Sequence, residues 1–229
     1  MIKAILFDID NTLIDFMQMK TKSCESAIDS MIKAGLKVNK KRALKVLYEL
    51  YDKYGIEYQK IFQKFTKELT GKIDYRLISY GIIAYRKERE YYLKPYSNVV
   101  STLKALKKKY KLAVVSDAPV LEAWMRLVTM KLDKYFDVVV TMADARKQKT
   151  HVAPFKNALR QLNVKPENSV MIGDRISRDV HTAKKLGIHT IYAKYGETKP
   201  VAKGKSSADF EIKNISEMID IVNNKLNKK

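Results

Sequence analysis

The run from Ile2 to Asp8 reads as a buried strand, and the next strand-like run does not begin until Leu112. That interruption constrains the fold more than any other feature. Residues 16–93 show helical periodicity without a clear strand run, as in Ala43, Leu44, Val46, Leu47, Leu50, Tyr51 and Tyr54. Gly35, Gly55 and Gly71 punctuate the stretch and divide it into about four helices. It also holds nine of the fourteen tyrosines. After Lys94-Pro95 the pattern changes. The spacing predicts helices over 97–109, 119–130, 153–162 and 177–186, the last ending at Gly187. Strands are expected over 112–116, 136–140, 170–172, 188–192 and 210–212, with a final helix behind them. Alternation of this kind implies right-handed βαβ units and a parallel sheet, hence an α/β core. The expected division is a core of residues 1–15 and 94–229 and an all-helical domain of residues 16–93. Gly196 to Ser207 is the loosest stretch and reads as a surface loop.

In a parallel sheet, ligands bind beyond the carboxyl ends of the strands. Four such ends carry polar residues. The first offers Asp8, Asp10 and Thr12. On a strand, the spacing of the two aspartates puts both carboxylates on one face, about 7 Å apart. Like charges at that distance call for a proton or a cation, and carboxylate oxygens suit a hard ion such as Mg²⁺. The alternative is that Asp8 opens a turn and Asp10 or Thr12 caps a helix. The second end offers Ser116 and Asp117, which read equally well as helix caps. Lys149 lies in the loop after the third, with Lys147 as its competitor. The fourth offers Gly173-Asp174, with Asp179 five residues on.

Composition narrows the function classes. Hydrophobic residues make up 46% of the 229, which suits a soluble globular protein with a sizeable core. No apolar run reaches the roughly 18 residues that span a bilayer, so no membrane is expected. One cysteine, Cys24, excludes an intramolecular disulfide framework and suits a cytoplasmic protein. The net charge of +20 raises nucleic-acid binding as a possibility. However, residues 16–93 carry 17 basic and 9 acidic residues, a share of the excess close to their share of length. Only Lys225, Lys228 and Lys229 resemble a basic tail. An evenly spread charge favours an anionic small substrate over nucleic acid. Abundant Lys, Glu and Ile also suit a thermophilic source.

The ordered series Asp8-x-Asp10-x-Thr12, Ser116-Asp117, Lys149 and Gly173-Asp174 with Asp179 resembles the haloacid-dehalogenase-like hydrolase superfamily. The resemblance covers the whole chain, and residues 16–93 look like the helical C1 cap of subfamily I. It implies a Rossmann-like core with helices on both faces and a Mg²⁺-dependent phosphatase of small phosphorylated metabolites. By that pattern Asp8 is the nucleophile that becomes an aspartyl-phosphate, and Asp10 is the general acid and base. Thr12, Ser116, Asp117 and Lys149 serve the phosphate and its loop, and Asp8, Asp10, Asp174 and Asp179 serve the metal, Asp10 through its main-chain carbonyl. The loop Lys149-Thr150-His151-Val152 departs from the family's usual Lys-Pro-x-Pro, and Arg175 stands where small polar residues are frequent. A phosphomutase of the same architecture is the alternative. A dehalogenase is disfavoured, because halide departure gives Asp10 nothing to protonate. A basic binding protein leaves the aspartate series unexplained. A monomer or homodimer is expected.

Overall fold

The computed structural model describes residues 1–197 and 206–227. Most of the expected loop between Gly196 and Ser207, and Lys228 and Lys229 of the basic tail, lie outside the described residues. The chain forms two compact units, one of Met1–Phe16 with Lys94–Lys229 and one of Met17–Leu93.

The first unit is built on six strands: β1 (Ala4–Phe7), β2 (Lys111–Val115), β3 (Val138–Val140), β4 (Ser169–Gly173), β5 (His189–Ala193) and β6 (Phe210–Ile212). Their order is β3-β2-β1-β4-β5-β6, and every pairing is parallel. The chain therefore starts in the middle of the sheet and grows outward on both sides. Ala4, Leu6, Ala113, Val115 and Met171 pack on one face against Phe155, Ala158, Leu159 and Ala183. Ile5, Phe7, Leu112 and Val114, on the other face by strand alternation, are equally buried. A sheet covered on both faces needs apolar side chains at both parities, which is why its strands read as continuous apolar runs.

Helices α5 (Val99–Lys107), α6 (Val120–Thr129), α8 (Ala153–Leu162), α9 (His181–Lys184) and α10 (Glu217–Asp220) connect the strands or follow them. Three local features depart from the sequence reading. A short helix, α7 (Met142–Ala145), follows β3 and is capped by Thr141 and Asp144. The first turn of the expected 177–186 helix is π-helical, Ile176–Val180. The third strand begins at Val138 rather than 136, because Asp137 accepts the Leu112 N–H and pairs with Lys107.

The second unit contains most of α1 (Phe16–Lys33), then α2 (Lys40–Tyr54), α3 (Ile61–Thr70) and α4 (Tyr75–Tyr92). Asn39 and Asp74 accept main-chain N–H groups at the starts of α2 and α4, which satisfies donors a helix start leaves open. The apolar stripes meet in one core of Ala27, Ile28, Met31, Leu47, Tyr51, Phe62 and Phe65, with Leu77 and Ile78. Cys24 belongs to that core, where burial pushes its thiol up to about 11 and leaves it protonated. Trp124 of α6 is not a core residue: it is 42% exposed, near Leu121 and Val128 on the same helix.

Candidate active site

The site is assembled at the carboxyl ends of β1, β2 and β4, the three central strands. β1 ends at Phe7, and Asp8 follows with its N–H still bonded to the Ile172 carbonyl. The chain then turns sharply. The Ile9 carbonyl accepts N–H groups from Thr12, Leu13 and Ile14, and Asn11 adopts a left-handed φ of 59°. Asp8 and Asp10 are therefore not held on one strand face, as their spacing suggested. Asp8 extends the strand, and Asp10 sits in the turn.

That turn is fixed by neighbours from the far end of the chain. The Tyr195 hydroxyl donates to the Thr12 carbonyl at 2.7 Å. Gly196 lies so close to Asn11 that a Cβ there would fall 1.6 Å from the Asn11 carbonyl oxygen. Only glycine permits that approach. Thr12 is wholly buried. Beyond the turn, Tyr96 N–H bonds to the Leu13 carbonyl and Ile14 bridges Pro95. The chain thus leaves this unit and re-enters it at adjacent points.

At the centre, Lys149 Nζ lies 2.5 Å from Asp8 Oδ1 and 2.6 Å from Asp179 Oδ1. Of the two candidate lysines, Lys149 is buried beside Asp8, whereas Lys147 is exposed. Asp117 holds the lysine's main chain, accepting its N–H at 2.7 Å on Oδ1, while Oδ2 pairs with Arg178 at 2.9 Å. Both side-chain oxygens of Asp117, expected among the phosphate-site residues, thus face the lysine loop and Arg178. Ser116 is buried, and its hydroxyl accepts the Ala118 N–H at 3.1 Å.

Asp174 and Asp179 flank the lysine. Gly173 ends β4, and a Cβ there would fall 2.3 Å from the Asp179 carboxylate, so the close approach requires glycine. The Arg175 N–H donates to Asp179 Oδ2 at 3.0 Å, and the Arg175 side chain is exposed. Asn11 Nδ2 lies 3.4 Å from Asp174 Oδ2.

One carboxylate oxygen each from Asp8, Asp174 and Asp179 lies within 4.8 Å of the others, and all three residues are buried. Burial raises the Asp8 carboxyl despite Lys149 beside it. It raises Asp179 to about 6, again against Lys149, and Asp174 to about 8, with Asp8 and Asp179 adding to the effect. Burial opposes the charge on Lys149 as well, yet Asp179 and then Asp8 hold it protonated. One ammonium among three carboxylates leaves an excess of negative charge. Asp174 Oδ1 is buried and has no hydrogen-bond partner among the described residues. An all-oxygen, electron-rich cluster with an unpartnered oxygen fits a hard divalent cation such as Mg²⁺.

The Asp10 carboxylate stands outside that cluster. Its Oδ2 is 2.9 Å from Arg126 Nη1, and the arginine side chain is only 2% exposed. Sequence reasoning missed Arg126. Its signal lay in α6, where Ala123, Arg126 and Leu127 form one buried stripe and an arginine occupies an apolar position.

Residues 5–193 match the family model described as haloacid dehalogenase-like hydrolase. A glyceraldehyde 3-phosphate phosphatase of Methanocaldococcus jannaschii is 34% identical over 225 residues, covering 98% of both chains. One of Methanothermobacter thermautotrophicus is 35% identical over 192 residues, covering 83% of this chain and 85% of the relative. A crystal structure of a haloacid-dehalogenase-type phosphatase from Thermococcus onnurineus superposes with a TM-score of 0.71 at 26% identity, covering 97% of this chain and 98% of that one. The sequence match, the parallel sheet and the carboxylates at its central strand ends agree: the chain belongs to the haloacid dehalogenase-like hydrolase family.

Proposed function

We propose that the protein is a Mg²⁺-dependent phosphatase of small phosphorylated metabolites, acting through an aspartyl-phosphate on Asp8. The observation that carries this reading is the buried Lys149, whose ammonium lies between Asp8 and Asp179 within a three-carboxylate cluster. Lys149 favours the ionised form of Asp8 against its burial, and it lowers the carboxylate's repulsion for an incoming phosphate.

In the first step an Asp8 oxygen bonds to phosphorus as the ester P–O bond breaks. Asp10 gives its proton to the leaving oxygen. In the second, Asp10 takes a proton from water as the water oxygen bonds to phosphorus, and the Asp8–phosphorus bond breaks to release phosphate. Ser116 and the main-chain N–H groups after β2 bind the phosphoryl oxygens. Asp117 acts by fixing Lys149, and Thr12 by ordering the Asp10 turn. Asp8, Asp174, Asp179 and the Asp10 carbonyl would hold Mg²⁺, which supplies charge to offset the phosphoryl oxygens. The helical unit, taken as residues 16–93, acts as the cap that selects the substrate.

The relatives' name makes glyceraldehyde 3-phosphate the first substrate to try. The lone cysteine and the spread of basic charge support a cytoplasmic enzyme, and the Lys, Glu and Ile content supports a thermophilic source. Among the described residues no helix is long and apolar enough to cross a membrane. The test is phosphate release from a panel of phosphorylated three-carbon acids, aldehydes and sugars, with and without Mg²⁺. Activity should require the metal and vanish in Asp8→Asn. An Asp8→Asn enzyme with full activity, or a native enzyme indifferent to EDTA, would sink the mechanism.

A further inference from the structure

We propose that Arg126 is a positioning residue for Asp10, holding its carboxylate at Oδ2 in the orientation from which Asp10 serves the leaving group. The proposal rests on the roles given above to Asp8 and Asp10. An arginine is seldom buried unless it is paired. Arg126 is buried on the inner stripe of α6, and Nη1 meets Asp10 Oδ2 at 2.9 Å. Its guanidinium carbon also lies 4.7 Å from the centre of the Phe16 ring. The guanidinium is thus held by a carboxylate and by an aromatic face, all within the sheet-bearing unit.

The pair is asymmetric. The Asp10 side chain is 24% exposed, whereas that of Arg126 is 2% exposed. The Asp10 side chain therefore reaches the surface, although its Oδ1 is itself buried, while its anchor does not. The Asp10 main chain is already fixed by the turn around the Ile9 carbonyl and left-handed Asn11. What remains is rotation of the side chain, and Arg126 sets it. A guanidinium only donates hydrogen bonds, so Oδ2 serves it as an acceptor and the carboxylate is held in one orientation. As the Asp8–phosphorus bond forms and the ester bond breaks, Asp10 gives its proton to the leaving oxygen. Water returns a proton to Asp10 in the second step. A lysine could supply the charge but not the planar geometry that fixes the carboxylate's orientation.

A residue that acts through the general acid affects substrates according to how much their leaving group needs a proton. An alkoxide needs one; p-nitrophenolate needs little. The test compares glycerol phosphate with p-nitrophenyl phosphate on the full-length enzyme with Mg²⁺. Arg126→Met should lower kcat on glycerol phosphate about 100-fold, within the range general acids supply, with KM little changed. On p-nitrophenyl phosphate the loss should stay under about tenfold by the same reasoning. In an Asp10→Asn background, Arg126→Met should add no further bias between the two substrates. Arg126→Lys, which keeps the charge, should show the same bias to a smaller degree and serves where the Met variant does not fold. Equal losses on both substrates, or a bias that persists in the Asp10→Asn background, would overturn the proposal. If Asp10→Asn alone shows no bias between the substrates, the reading of Asp10 as general acid fails first, and that failure is separate from any result at Arg126.

Discussion

The two units bury an ammonium group in different ways. In the sheet-bearing unit, Lys149 is met by two carboxylates at 2.5 and 2.6 Å. In the helical unit, Lys20 lies over the ring of Tyr51, 4.3 Å from its centre, and 5.3 Å from that of Tyr85. Carboxylates compensate a charge strongly but carry charge of their own, and here three of them surround one lysine. Aromatic faces compensate weakly and leave no excess. The first arrangement keeps an electrostatic demand that a metal ion and a phosphate can meet. The second completes a core. The same contrast runs through the buried polar residues, which in the helical unit are Lys20, Ser23 and Thr66, whereas Asp8, Arg126, Lys149, Asp174 and Asp179 all lie in the other unit.

The largest expected break of this contrast is Lys149→Met. It removes the one ammonium from the cluster, so phosphate release should fall to background. Leaving buried carboxylates without their partner should also cost roughly 3–5 kcal/mol in a urea unfolding titration. A variant that keeps its activity would show that the cluster does not depend on the lysine. Phe65→Ala, in the fully buried core of the helical unit, should cost a comparable 3–5 kcal/mol, roughly, through lost packing. Unlike Lys149→Met, it should leave the turnover of p-nitrophenyl phosphate by the folded fraction nearly unchanged. Equal effects of the two substitutions on turnover would erase the distinction between the units.

Metal and pH sharpen the comparison next. Burial raises Asp174 to about 8, far above its unfolded value. A group raised in the fold contributes stability below its unfolded pKa and loses it as pH rises through the folded one. The metal-free protein should therefore lose stability between about pH 4 and pH 8 from this group. Mg²⁺ must displace the proton, so its apparent affinity should fall up to about tenfold for each pH unit below 8, about 1.4 kcal/mol per unit. At 100 times its dissociation constant it should stabilise the fold by about 2.7 kcal/mol. Thermal unfolding with and without Mg²⁺ should show a larger rise in Tm at pH 8 than at pH 6. A rise that is larger at pH 6 would rule out the carboxylate cluster as the metal's site. The smallest effect is expected from Lys20→Met, about 1 kcal/mol, since a cation over aromatic rings contributes that order of energy and Met fills the space. A loss as large as that of Lys149→Met would mean that both lysines answer the same kind of demand.

Particular residues show how far the sequence could be read. The six strands were legible because a sheet buried on both faces demands apolar runs, and the polar residues after them stood out by contrast. The helices of the second unit were legible through their periodicity and their glycines. Lys149 and Lys147 could not be separated, because their loop has no period and burial there depends on Asp117 and Arg178 arriving from elsewhere. The π-helical turn at Ile176–Val180 was equally hidden, since it answers to where Asp179 must point. The resemblance placed Asp117 with the phosphate, and only the fold shows that its carboxylate faces the lysine loop.

By itself the sequence determined the α/β alternation, the helical insertion and the series of residues at the strand ends. Those features are local, written in periodicity and in breaks of it. The tertiary structure alone decided which lysine enters the cluster, that Asp10 leaves it to pair with Arg126 116 positions away, and that Asp174 keeps an oxygen unpartnered among the described residues. These outcomes depend on desolvation and on charges brought together from distant parts of the chain, and no local pattern carries that information.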